Sequence, residues 1–302
     1  MLKPPAMFWD RAIRGRLVAV ALMAFAARAD AQEIRVMTSG AFTAALTELT
    51  PIFERDSGAR IVAVYGGSMG SAPTTIPNRL ARGEAADVVI LASSSLNELV
   101  ERGLVASGTL VDLVRSPIGL AVRAGAPKPD IGSLQALERA LLAAKSIAYS
   151  SSASGVYLST ELFPKLGLAD RIAAKSRMIE TEPVGAVVAR GDAEIGFQQV
   201  SELLPVKGIE IVGPLPEGAQ RLTVFSAGIA SNASQAALAR RLIVFLSSPA
   251  VAEVIRRTGL DPIGTPLREV VLERGPCPWP VPFANDCATI RVPQVTRGGA
   301  VR

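Results

Sequence analysis

Across residues 32–263, short apolar runs alternate with stretches whose apolar positions recur every three to four residues. Short runs bounded by turn residues make buried strands, and the 3.6-residue period makes the helices that cover them. The alternation therefore dictates an α/β chain with a parallel or mixed sheet. Strands are expected at Ile34–Met37, Arg60–Tyr65, Asp87–Leu91, Ile118–Val122, Ser146–Tyr149, Glu194–Gln198, Ile209–Val212 and Leu222–Ile229. A helix over Phe42–Asp56 aligns Phe42, Leu46, Leu49 and Phe53 on one stripe, with a kink expected at Pro51. Ser133 is placed to cap a helix bearing Leu134, Leu137, Leu141 and Leu142, and a further helix covers Ala233–Leu246.

Composition narrows the chemistry. The 302 residues are 49% apolar and 20% charged, which is globular, and they contain no histidine. Ser-His-Asp triads, Cys-His dyads and histidine-ligated metals are thereby excluded, and two cysteines are too few for a structural zinc site. The net charge of +5 belongs to the ends, because residues 32–263 carry 22 basic and 22 acidic side chains. With aromatics at 5% there is no stacking platform either, so nucleic acid is not an expected partner.

Both ends differ from the body. Residues 1–31 run from a basic stretch ending at Arg16, through the apolar segment Leu17–Ala27, to Ala29-Asp30-Ala31. This is the layout of a signal peptide cleaved after Ala31, which predicts export to the periplasm. The apolar segment is too short to span a bilayer, so the protein is not expected to be membrane-inserted. Residues 264–302 hold six prolines between Pro266 and Pro293 and no sustained period, so a loosely packed extension is expected. Within it, Cys277 and Cys287 are placed to form a disulfide in an oxidising compartment, two free thiols being the alternative.

Three loops join a strand end to a helix start through small and hydroxyl residues. The first contains Ser39, Gly40 and Ala41; the second contains Ser68 and Met69; the third contains Ser154 and Gly155. Helix starts offer free N–H groups and the positive end of the dipole, which suits an anion. Gly66–Gly70 also spells G-x-S-x-G, the nucleophile elbow of hydrolases. With no histidine to take the serine proton and no S-x-x-K following, Ser68 is instead expected to be a hydrogen-bond donor to a ligand.

The segments EIRVMTSGAFTAAL, RLARGEAADVVILA, SASGVYLSTELFPKLGL, EPVGAVVARGDAEIGF and SPAVAEVIRRTGLDP occur in an order that resembles the type II periplasmic solute-binding proteins, most closely their molybdate-binding branch. The resemblance implies a two-lobed α/β fold with a ligand cleft between lobes. Lobe 1 would comprise 32–116 plus 222–263 and lobe 2 would comprise 117–221, with Ile118–Val122 and Leu222–Ile229 as the hinge. It places ligand contacts at Ala41, Ser68, Ser154, Val184 and Gln199. The family usually has serine at the first of these and tyrosine at the last, a departure that suits a differently shaped anion such as an organic carboxylate. Ser39, Thr43, Ser71 or Gln198 are then the replacement donors.

The implied function is capture of a small anion, a molybdate-like oxyanion or a small organic carboxylate, by a monomeric, periplasmic protein that delivers it to an ABC permease, without cofactor and without catalysis. One alternative is a lyase-type enzyme on the same scaffold with Glu182 or Glu180 as base. Another is a solute sensor that docks on a receptor.

Overall fold

In the computed structural model, which describes residues 32–263 and the backbone of Leu272–Gly275 and Cys287–Ile290, the apolar runs divide between two main sheets. The strands are β1 (Glu33–Ser39), β2 (Arg60–Gly66), β3 (Val88–Ala92), β4 (Val111–Ser116), β5 (Ile118–Arg123), β6 (Ile147–Ser150), β7 (Ser176–Ile179), β8 (Ile195–Gln199), β9 (Ile209–Pro214), β10 (Thr223–Ile229) and β11 (Asp261–Pro262). The first sheet has the order β11-β4-β10-β3-β1-β2 and the second β7-β6-β8-β5-β9. β1 runs parallel to β2 and β3, and β6 parallel to β7 and β8. The chain crosses between sheets at Pro117, and again between β9 and β10, whose antiparallel pairing with β3 and β4 returns it to the first sheet.

Each sheet is covered on both faces, as buried parallel strands require. Over the first, the helix Gly40–Ser57 buries Phe42, Leu46, Leu49 and Phe53 together with Leu242 and Leu246 of the helix Ala236–Leu246. Ile76, Leu80, Leu96 and Leu99 fill the opposite face. The first helix continues through Pro51 to Gly58, whose φ of 72° closes it in a conformation that glycine adopts without Cβ strain. Over the second sheet, Ser133 caps Leu134–Ala143 by accepting from the Ala136 N–H at 3.2 Å.

β4 and β7 are strands that sequence patterning does not reveal. β7 is an edge strand with only Ile179 buried, so it carries no apolar alternation. Within the tail, Leu272–Gly275 pairs antiparallel with Cys287–Ile290, Gly275 facing Cys287. Cys277 and the leader 1–31 lie outside the described residues. Among the described residues no helix is long and apolar enough to cross a membrane.

Candidate functional site

The turns that follow β1, β2, β6 and β8 meet in the gap between the sheets, at the carboxyl ends of parallel strands, the place where open α/β sheets bind ligands. They enclose a cavity of about 10 Å³, lined by Ser39, Gly40, Ala41, Ser68, Ser154, Gln199 and, in addition, Ser152, Ala153, Glu202 and Phe225. That is room for about one water.

The expected site residues play distinct parts. Ser39 is buried and its hydroxyl has no partner, the one hydroxyl lining the cavity that is left so. Ser68 is fully buried; its hydroxyl accepts the Ala92 N–H at 3.0 Å, and its own N–H donates to the Ser152 hydroxyl at 3.2 Å, across the lobes. Ser154 shares a 3.1 Å hydrogen bond with the Ser150 hydroxyl. Ala41 packs into the first lobe's core, and Met69 lines a neighbouring cavity. Gly155 is a close-approach residue, because a Cβ there would lie 1.6 Å from the Ser150 carbonyl oxygen.

Two expected contacts are committed elsewhere. The Val184 N–H donates to the Gln198 side-chain oxygen at 2.9 Å, and Val184 does not line the cavity. The Gln199 amide is best satisfied with its nitrogen donating to the Ser116 and Pro117 carbonyls, each at 3.1 Å, and its oxygen accepting from the Thr223 hydroxyl at 3.0 Å. These partners belong to the two interlobe crossings, so Gln199 clasps the crossings with the groups a ligand would need. Gln220 reinforces it by bonding both the N–H and the carbonyl of Ile118, at 3.0 and 2.9 Å.

The group that sequence reading missed is Glu202. It stands one turn beyond Gln199 on the helix Val200–Leu203, and its carboxylate reaches across to the start of Gly40–Ser57. A Cβ on Gly40 would meet Glu202 Oε1 at 2.0 Å. Gly40 has no positive φ, so the glycine is there for room, not for conformation. Burial pushes the Glu202 carboxyl up to about 7, against the opposing influence of the Gln198 amide and the Gln199 N–H. In sequence the SELL segment reads as an ordinary helix start; the one signal was a glycine opening a helix that did not need it.

Glu180 and Glu182, the carboxylates expected to act as base in an enzyme, are both exposed and away from the cavity. Glu182 is held by Arg190 at 2.6 and 3.0 Å, and that hydrogen bonding keeps its carboxyl below the usual range. Neither has the setting of a base.

Beside the central cavity, on the far side of Ala153, lies a second one of about 420 Å³. Arg221, Glu161, Tyr157, Ser93 and Thr223 line it. Arg221 pairs with both carboxylate oxygens of Glu161 and lies over the Tyr157 ring, 4.2 Å from its centroid.

Residues 34–261 match the family described as bacterial extracellular solute-binding protein. An aconitate isomerase from a Pseudomonas species is 47% identical over 230 residues, which cover 76% of this chain and 88% of that one. The molybdate-binding protein ModA of Azotobacter vinelandii is 26% identical over 255 residues, covering 80% and 95%. The structure of the Azotobacter vinelandii periplasmic molybdate-binding protein superposes with a TM-score of 0.61 at 22% identity, covering 75% and 98% of the two chains. The sulfate-binding protein SubI of Mycobacterium tuberculosis H37Rv gives 0.62 at 17% identity, covering 78% and 88%. The expectation of a protein without catalysis is overturned by the isomerase, an enzyme sharing nearly half its aligned sequence with this chain. Two sheets linked by crossings, a polar cleft between them and a match along most of the described body lead to one statement: the chain belongs to the bacterial extracellular solute-binding protein family.

Proposed function

We propose that the protein is an isomerase that interconverts the trans and cis forms of aconitate, with Glu202 as its acid–base group. Aconitate carries its double bond between a central carbon and one of two otherwise equivalent arms. Glu202 takes a proton from the CH₂ arm. The released electron pair forms the new double bond to the central carbon, and the old π pair takes a proton from Glu202 at the former vinyl carbon. The constitution is regenerated, and no carbon–carbon bond breaks, while the geometry about the double bond is set anew.

The observation that carries this reading is the setting of Glu202. A carboxyl group pushed up to about 7 is present in both protonation states near neutrality, as a group that must accept and return a proton requires. The free Ser39 hydroxyl and the start of the helix Gly40–Ser57 offer neutral donors for charge that spreads onto the substrate carboxylates. The isomerase relative supports the substrate. The leader at 1–31 supports a periplasmic setting, with cleavage after Ala31.

The test is proton NMR of purified protein incubated with trans-aconitate. The cis isomer is expected to accumulate, and Glu202→Gln is expected to lower kcat by roughly 10²- to 10⁴-fold. An unaffected Glu202→Gln variant removes Glu202 from the reaction. The molybdate-binding relative favours a second reading, capture of a solute for an ABC permease. Tight ligand binding without isomerisation supports that reading instead.

A further inference from the structure

A tricarboxylate brings three negative charges, yet the central cavity has Glu202 as its only charged side chain. The outer groove beyond Glu202 adds Glu48 and no basic residue. Among the residues lining these spaces and the 420 Å³ cavity, Arg221 is the only cation. We infer that Arg221 is the specificity-determining residue for the third carboxylate of the substrate, and that Glu161 is the internal carboxylate it exchanges for that group. The inference rests on the isomerase reading.

Three observations on this cavity support it. First, it adjoins the central one through Ala153, and Met69, next to Ser68, lines it, so an acid held at Glu202 extends into it. Second, Arg221 is oriented for a carboxylate already, stacked on Tyr157, whose hydroxyl is fixed by donating to the Ala219 carbonyl at 2.9 Å. A planar guanidinium held this way presents two parallel N–H groups, the geometry that carboxylates accept. Third, Glu161 sits within a π-helical turn, Leu158–Leu162, a distortion often found at functional sites. Both Arg221 and Glu161 remain about half exposed, at 49% and 50%, so the pair is accessible to exchange.

Calorimetric titration of full-length protein with trans-aconitate and with itaconate, which lacks one terminal carboxylate, separates the outcomes. Arg221→Ala is expected to weaken trans-aconitate by about 10- to 100-fold, the worth of a hydrogen bond to a charged group, and to leave itaconate within roughly threefold. Glu161→Gln removes the internal competitor and is expected to tighten trans-aconitate by roughly twofold to fivefold, the worth of an exposed ion pair. A purely structural ion pair predicts that both variants lose affinity together, and that result overturns the inference. So does an Arg221→Ala variant that binds trans-aconitate normally or loses both acids equally. Wild-type protein that isomerises trans-aconitate while Arg221→Ala binds it unchanged defeats the inference alone. Wild-type protein that neither binds nor isomerises it defeats the isomerase reading as well.

Discussion

Two turns of the second lobe each begin a short helix near a glutamate, and they show how little a residue's identity says about its chemistry. Glu182, before the helix Val184–Arg190, lies in water and is clamped by Arg190, so its carboxyl stays ionised. Glu202, within Val200–Leu203, is pressed between lobes against Gly40, with no cation to hold it ionised, and its carboxyl is pushed up to about 7. The first is a surface ion pair of the kind that contributes little. The second is a group whose proton is exchangeable near neutrality, enclosed beside a polar cavity.

The largest effect expected from this contrast is on turnover: Glu202→Gln lowers kcat by roughly 10²- to 10⁴-fold whereas Glu182→Gln leaves it unchanged, as steady-state assays of both variants with trans-aconitate would establish. Loss of activity in both would break the comparison. Next is Gly40→Ala. Its Cβ would stand 2.0 Å from Glu202 Oε1, so the carboxylate must move, and kcat is expected to fall by about 10- to 100-fold from misplacement of the reacting group. A fully active Gly40→Ala variant would show that the cleft works with Glu202 elsewhere.

The pH dependence follows in size. With Glu202 as base, log kcat/KM rises with unit slope up to about pH 7 and then levels. Glu182, whose carboxyl lies below its ordinary range, would give a flat profile there. The same shift has a stability sign. Because the folded state holds the Glu202 proton more tightly than the unfolded chain, this group's contribution is fully present below about pH 4.5 and is lost as pH rises through about 7. Thermal melts should therefore show Glu202→Gln gaining on wild type between those pH values, by at most about 3 kcal/mol. A difference that does not change with pH would sink the buried-carboxyl assignment.

Much of this architecture is legible in the residues. The stripe Phe42, Leu46, Leu49 and Phe53, the Ser133 cap and the eight apolar runs declare themselves because burial and capping are local periodic demands. The loops at Ser39, Ser68 and Ser154 are legible for the same reason, since strand-to-helix turns need small residues wherever they occur. What is not legible is how their polar groups are shared out. Val184 and Gln199 are spent on Gln198 and on the interlobe crossings, through partners between 14 and 83 residues away, most of them too distant for any sequence period to record.

Residue order alone was enough for the class of fold, for the absence of histidine chemistry and for membership of the solute-binding family. Which carboxylate meets the cleft depends on how the two sheets come together. Gly40 and Glu202 lie on different lobes, and Arg221 meets Glu161 through the second crossing. A proton affinity is set by what surrounds a group in space, by lost water and by nearby charge, and neither quantity is written along the chain.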